Sequence, residues 1–114
     1  PIDVKVETHV PCLENRHFLS LTLTLRAIGD HTKEHTIMLA PEARGKGLGR
    51  ALMQAVEDHA RAQKVHSMIA GVSGSNPMGE PFHTAIGYVK VGMLPQAGRK
   101  FDQWHDLVLM QKLL

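Results

Sequence analysis

The stretch P-E-A-R-G-K-G-L-G-R-A-L-M, from Pro41 to Met53, says more about the fold than any other part of the chain. Gly45, Gly47 and Gly49 stand at every second position between basic side chains, and an apolar pattern of helical period follows at once. This arrangement predicts a helix that begins at a glycine-rich loop. The first turn of a helix presents unpaired amides and partial positive charge, so we expect a phosphate group to bind there.

The same loop offers charge as well as open backbone. Arg44, Lys46 and Arg50 can form charge-assisted hydrogen bonds to phosphate oxygens, and the glycines let the phosphate approach. A Walker-type loop is excluded because Gly49 is followed by Arg-Ala, and the third glycine comes one residue early for the dinucleotide motif. A flexible basic surface loop is the alternative. The predicted cofactor contacts here are Arg44, Gly45, Lys46, Gly47, Leu48, Gly49 and Arg50.

The pattern of apolar residues predicts strands before the loop and an alternating order of elements after it. Alternation predicts strands at Val4–Val10, His17–Arg26 and His35–Leu39. The helix after the loop is amphipathic, and Ser67–Val72 is an apolar run typical of a strand buried on both faces. The predicted inward stripe of that helix is Leu48, Ala51, Leu52, Ala55 and Val56, and the outward residues are Arg50, Gln54, Glu57 and Arg61.

The last third of the chain predicts a short helix and two strands. The helix passes through His83 to Ile86 and is closed by Gly87 in the left-handed conformation. The strands are Tyr88–Met93 and Trp104–Leu113. The loop predicted between them holds Pro95, Gly98, Arg99 and Lys100.

Composition predicts one soluble domain. With 114 residues, 43% apolar and 21% charged, the chain suits a single domain over residues 1–114. The formal charge of +2 is mild, so nucleic acid is not the expected partner. No apolar run is long enough to span a bilayer or forms a signal peptide, and Cys12 has no disulfide partner. We therefore expect a cytoplasmic protein without membrane contact.

The glycine loop and four further motifs, in order along the chain, carry a resemblance to a known family. R-G-K-G-L-G at Arg44–Gly49 resembles the pyrophosphate-binding signature of the GNAT N-acetyltransferase superfamily. K-E-H-T-I-M-L, A-G-V-S-G-S-N, F-H-T-A-I-G-Y and the segment from Gly98 to Gln111 resemble its phosphinothricin and methionine sulfoximine acetyltransferase branch. The likeness runs from Lys33 to Leu114. It implies an α/β fold, GNAT-like and mixed, with a mostly antiparallel central sheet and about two helices.

The resemblance also implies what is missing. A complete member of this family starts with a strand and two helices that wall the substrate site, and nothing before His31 resembles those helices. We therefore expect a version shortened at the amino terminus, or a partner subunit that supplies the wall.

The resemblance assigns roles to several residues. Glu34 matches the general base, and His83 stands where this branch carries a histidine in place of a tyrosine acid. Backbone amides near Met38 and Leu39 are expected to bind the thioester and pantetheine arm, and Asn76 matches an asparagine that contacts the arm. From position alone, Glu34 fits a solvated turn carboxylate, His83 a structural histidine and Asn76 a helix cap equally well.

Alternatives remain open at two further places. Trp104 and Asp106 match a W-x-D of the branch, and we prefer a core or dimer-interface aromatic with a hydrogen-bonded carboxylate. Arg99 and Lys100 are either attractors of a substrate acid group or solvated loop residues.

Another motif points to different chemistry. H-T-K-E-H, residues 31–35, matches the H-x-x-E-H zinc-peptidase motif, which requires a helix, whereas a strand is expected here.

Together these features predict an acetyl-CoA-dependent N-acetyltransferase acting on the amine of a small, phosphinothricin-like or amino-acid-like molecule. Acetyl-CoA is the predicted cosubstrate, no metal is expected, and a homodimer is the expected assembly. The alternatives are a CoA-binding module without activity and, less favoured, a zinc hydrolase.

Overall fold

Six strands and two helices make up the described chain. The computed structural model describes the backbone of residues 2–11, 18–39 and 47–114, and the side chains of residues 25–37 and 47–114. The predicted contacts Arg44, Gly45 and Lys46 and the lone Cys12 lie outside the described residues. The elements are β1 Ile2–Pro11, β2 Phe18–Gly29, β3 Thr32–Leu39, α1 Leu48–Ala62, β4 Ser67–Ser73, α2 Gly79–Ala85, β5 Val89–Lys100 and β6 Gln103–Leu113.

The strands form one sheet in the order β1-β2-β3-β4-β6-β5. Every neighbouring pair is antiparallel except β3 and β4, which are parallel and are joined through α1. The prediction of a mixed, mostly antiparallel sheet with two helices is thus confirmed. Neither helix in this described part of the chain is long and apolar enough to cross a bilayer.

Two adjacent cross-strand rows show how the sheet divides the molecule into two faces. Residues in register on neighbouring strands share a face, and successive residues point to opposite faces. One row is buried in the core beneath the helices: Leu25, His35, Ala70 and Met110. The next row lies on the opposite face and is half-buried or exposed: Arg26, Glu34, Ile69, Gln111 and Val89.

The sheet opens between its two parallel strands. Among the described residues, β3 pairs with β4 over four positions, from Thr32 opposite Ser67 to His35 opposite Ala70. Beyond that point β3 continues to Leu39 along β2, and β4 continues to Ser73 along β6. We call this opening the split. It separates an amino-terminal half-sheet, β1-β2-β3, from a carboxy-terminal half-sheet, β4-β6-β5.

The inward face of α1 differs from the prediction. Its buried residues are Gly49, Met53, Glu57 and Ala60, whereas Ala51 and Ala55 are exposed. Glu57, predicted to face solvent, has only 2% of its surface exposed. Leu52 and Val56 of the predicted stripe are half-buried and pack against the core, so the stripe is right in part. The buried face is rotated toward Glu57, whose carboxylate has buried partners.

The predicted loop between the last two strands is also corrected. Pro95, Gly98, Arg99 and Lys100 lie within β5, which absorbs an irregularity between Leu94 and Gly98. The turn falls instead at Phe101 and Asp102, both with positive φ, as in a two-residue hairpin. β4 was expected to be buried on both faces; Met68, Ala70 and Val72 are buried, but Ile69 and Gly71 are half-buried.

Candidate active site

The start of α1 presents backbone amides to the open end of the split. Gly47 caps the helix with φ 75°, and the amide of Ala51 donates to its carbonyl oxygen at 3.0 Å. The amides of Leu48, Gly49 and Arg50 precede the first intrahelical bond, and within the described chain no side chain caps them. Since α1 connects parallel neighbours, it begins at the carboxyl edge of the sheet, where ligands of such sheets bind.

At the split, the facing peptide groups of β3 and β4 do not pair with each other in the described register. Thr36–Leu39 on β3 and residues 71–73 on β4 face each other across it, and in the described register neither segment pairs with the other. Met38 and Leu39, predicted to bind the cosubstrate through their amides, therefore lie on the edge of the split. An extended arm could thus hydrogen-bond along this edge, as a strand does.

Glu34 lies one row before the split, on the sheet face opposite the helices. Its Oε2 accepts a hydrogen bond from the guanidinium of Arg26 at 2.9 Å, across the β2–β3 register. The two side chains are 31% and 51% exposed, so both can be reached from solvent. The sequence did not single out Arg26, although a hairpin turning near Asp30 places it opposite Glu34.

His83 reaches the buried face of the same strand. Its Nδ1 lies 2.8 Å from the carbonyl oxygen of Gly79 and must donate to it, so a neutral His83 keeps its lone pair on Nε2. That Nε2 is 3.0 Å from Nε2 of His35, which therefore donates. Within the described chain, the buried Nδ1 of His35 meets no hydrogen-bonding partner.

Both imidazoles are held neutral. Burial, and then the neighbouring His83, lower the pKa of His35 to about 3. Burial also lowers the pKa of His83, against the hydrogen bond to Gly79 and the charge of Glu57, which raise it. In this arrangement His83 has no free N–H to give a leaving thiolate. Its role as acid stays a prediction, and it requires the bond with His35 to break.

A second buried polar group lies beside this pair. The hydroxyl of Tyr88 donates to Glu57 at 3.1 Å, and the ammonium of Lys112 lies 2.7 Å from the same carboxylate. Burial, followed by the charge of Glu57, raises the pKa of Tyr88. Lys112 also donates to the carbonyl oxygen of Ile86 at 2.8 Å. The group fixes α1, the end of α2 and β6 to one another.

Asn76 follows the carboxyl end of β4, on the same edge as α1. Its Oδ1 accepts from the amide of Met78 at 3.1 Å, which closes an Asx turn before α2. A Cβ on Gly79 would collide with the side chain of Val72, so this turn packs tightly against β4. The helix-cap interpretation of Asn76 is wrong, because Met78 is the N-cap of α2 and receives no side-chain capping bond there; the contact of Asn76 with the cosubstrate stays a prediction.

The zinc-peptidase geometry is not formed. His31 lies in a turn, and the rest of the motif lies in β3, so Glu34 and His35 point to opposite faces. Among the described side chains, no three His, Cys, Asp or Glu residues converge on one point.

The hairpin residues resolve part of what the sequence left open. Trp104 is 57% exposed, which excludes the core position, and the guanidinium carbon of Arg99 lies 4.8 Å from its ring centre. The ammonium of Lys100 lies 5.3 Å from the ring centre of Phe101. Asp106 is hydrogen-bonded as expected, because its carboxylate accepts from the amide of Gln96 at 3.0 Å.

Comparison with known proteins establishes the family of this chain. The acetyltransferase (GNAT) family profile matches residues 16–88. The chain belongs to the GNAT family. This GNAT chain is 41% identical over 81 residues to an L-amino acid N-acyltransferase of Escherichia coli, covering 71% of the chain and 47% of that relative. It is also 41% identical over 80 residues to an L-methionine sulfoximine/L-methionine sulfone acetyltransferase of Pseudomonas aeruginosa, covering 70% and 46%.

Solved structures agree with the GNAT assignment. A GNAT superfamily phosphinothricin acetyltransferase from Sinorhizobium meliloti, in complex with acetyl-CoA, superposes with a TM-score of 0.76 at 30% identity, covering 89% of this chain and 57% of that one. A ribosomal-protein-alanine N-acetyltransferase from Brucella melitensis gives 0.76 at 31%, covering 90% and 66%. The GNAT chain described here spans about half the length of the curated relatives it matches.

Proposed function

We propose that this chain transfers the acetyl group of acetyl-CoA to the amine of a small amino-acid-like molecule. The observation that carries the proposal is the alignment of three features at one edge of the sheet. The uncapped amides of α1 open toward the split, and Glu34 lies one row before that split on the solvent-reached face. The names of the relatives support the same reaction and the same kind of acceptor.

The residues present fit acetyl-CoA. The diphosphate would bind at the amides of Leu48, Gly49 and Arg50, with the side chain of Arg50 adding charge. The arm would follow the edge of the split at Met38 and Leu39. When bound, acetyl-CoA supplies an activated acetyl thioester.

The remaining chemistry belongs to the chain. An ammonium group cannot attack a carbonyl carbon, so Glu34 takes one proton from the acceptor, directly or through water. The neutral amine is then the nucleophile. Amides at the split edge would stabilise negative charge that develops on the carbonyl oxygen. The leaving thiolate needs a proton, and we assign it to His83 only if His83 loses its hydrogen bond from His35.

Acetyl-CoA binding and turnover test this proposal separately. We expect acetyl-CoA to raise the melting temperature, and we expect thiol release in the presence of an amino acid panel. Replacing Glu34 with Gln should lower turnover by about 10²- to 10⁴-fold and leave the acetyl-CoA affinity unchanged. Asp102→Asn, at the hairpin turn, is the matched control. Binding without turnover would instead support the inactive CoA-binding module.

We further propose a cytoplasmic homodimer. Acetyl-CoA is available in the cytoplasm, and the hairpin of β5 and β6 exposes apolar side chains on its two faces and at its turn, which a second copy would cover in part. These are Val91, Met93, Leu94, Phe101 and Trp104. Light scattering should give twice the mass of one chain, and Trp104→Arg should lower it.

A further inference from the structure

We infer that Arg26 is a specificity-determining residue that binds the acid group of the acceptor, so that an α-amino acid is favoured over a simple amine. The inference rests on the proposed function and names a residue that the sequence did not identify. It is carried by the contact of Arg26 with Glu34 at 2.9 Å and by the exposure of both side chains on the open face.

The first argument is the pairing of charges. Arg26 and Glu34 are cross-strand partners that present one positive and one negative group side by side. A zwitterionic amino acid also carries one positive and one negative group side by side. Its carboxylate can therefore lie against Arg26 while its ammonium lies against Glu34. An amine without an acid group would be attracted by Glu34, but it would offer the guanidinium nothing in exchange and would compete with it for the same carboxylate.

The second argument is that the rest of the row is uncharged. On the face that carries Glu34, the cross-strand row continues through Ile69 and Gln111 to Val89. The amide of Gln111 is already engaged, since it donates to Ser67 at 2.8 Å. Arg26 is therefore the cation of this described row that adjoins the base.

The other candidates for an acid-binding site lie too far away. Arg99 and Lys100 pair with Trp104 and Gln103, whereas the row of Glu34 meets β6 at Gln111. At about 3.3 Å per residue, the seven positions from Trp104 to Gln111 span about 23 Å along the strand. An amino acid whose amine is at Glu34 cannot also reach these hairpin cations.

The third argument is energetic. An exposed ion pair such as Arg26–Glu34 contributes little to stability, so exchanging its carboxylate for that of the acceptor costs little. When Arg26 turns to the acceptor, Oε2 of Glu34 is left free to accept a proton. The step balances: an N–H bond of the ammonium breaks, an O–H bond forms on Glu34, and the nitrogen keeps the electron pair.

The test compares L-methionine with L-methioninamide, which share a side chain and differ in the acid group. The measured quantity is the ratio of their kcat/KM values in each variant, because intrinsic differences between the two amines cancel when variants are compared. Arg26→Gln should lower the ratio by about 10- to 100-fold, as expected for a lost charge-assisted hydrogen bond. Arg26→Lys should retain part of it.

Arg61→Gln is the matched control, since Arg61 is also a surface arginine paired with a carboxylate, at 3.2 Å from Asp58. Its ratio should equal that of the original chain. An unchanged ratio in Arg26→Gln, or an equal fall in Arg61→Gln, would overturn the inference while leaving N-acetylation intact. A fall of the ratio in Arg99→Gln, with no fall in Arg26→Gln, would also overturn the inference.

A binding measurement keeps the inference testable without turnover. Calorimetric titration of the CoA-saturated protein should show L-methionine binding more tightly than L-methioninamide, and Arg26→Gln should remove the difference. If no amine is acetylated, the proposed function fails, and this titration still decides the role of Arg26. Equal affinities of the unaltered chain for the two ligands would contradict it.

Discussion

Glu34 and His35 are neighbours in sequence and serve opposite faces of the sheet. Strand alternation turns Glu34 toward solvent beside Arg26 and His35 into the core against His83. The same alternation therefore separates the proposed base from the buried imidazoles. This separation was available from the sequence, which predicted a strand here and for that reason disfavoured a zinc ion shared by the histidines of the H-x-x-E-H pattern.

The buried His35 makes stability depend on pH. Its pKa is lowered from 6.5 to about 3, so below pH 6.5 the unfolded chain binds a proton that the folded chain does not. The contribution of His35 to the free energy of unfolding should thus be fully present above pH 6.5. It should be lost as the pH falls toward 3, by at most about 1.4 kcal/mol per pH unit. Urea unfolding at pH 7, 6 and 5 measures it.

His35→Gln is the matching variant, since its amide still donates a hydrogen bond toward Nε2 of His83 and does not titrate. The dependence on pH should become shallower, with a remainder from His83, whose pKa is lowered as well. A stability that is flat between pH 7 and pH 5 in the unaltered chain would show that His35 is not held neutral by burial.

At the level of elements, periodicity predicted the strands and helices but not all their boundaries. β1 to β4 follow clear alternating or continuous apolar runs, so they were found. The hairpin turn was missed because Phe101 and Asp102, neither of them glycine, adopt positive φ. Pro95 suggested a loop, yet an edge strand tolerates proline at an irregularity. The split was beyond prediction because it depends on the register between distant strands.

The cap of α1 gives the element-scale prediction. Gly47 has φ 75° and open space around its Cα, so Gly47→Ala should cost about 1–2 kcal/mol through backbone strain alone. Gly47→Asn should cost less, because asparagine tolerates this conformation. Gly98→Ala is the control, with equally open space and no positive φ. Chemical denaturation compares the three, and equal losses at Gly47 and Gly98 would contradict the argument.

At the scale of the whole molecule, the carboxylate of Glu57 joins elements that are distant in sequence. It receives Tyr88 before β5 and Lys112 on β6, and it is itself on α1. The sequence placed Glu57 on the outer face because an isolated glutamate is rarely buried. Only the tertiary contacts, which bring a lysine 55 positions away to 2.7 Å, explain its position.

Breaking this buried pair should be costly. Lys112→Met removes the nearer cation and leaves the carboxylate with Arg61 at 3.7 Å, so it should lower the free energy of unfolding by less than the about 3–5 kcal/mol of a buried charge left unpaired. Adding Glu57→Gln, which still accepts from Tyr88, should recover part of the loss. Lys90→Met, at an exposed lysine, should change stability by less than about 0.5 kcal/mol. A double-mutant cycle from urea melts measures the coupling, and strictly additive losses would argue against it.

The short contact between the half-sheets links cosubstrate affinity to the cohesion of the protein. In the described chain, β3 and β4 pair over four residue pairs, which we call the seam. A molecule hydrogen-bonded to both strands across the split would lengthen it. By mass action, a molecule that holds the two half-sheets together when it binds will bind more tightly to a protein whose half-sheets are already held together. Substitutions at the seam, although distant from the proposed diphosphate site, would therefore weaken the binding of the acetyl donor.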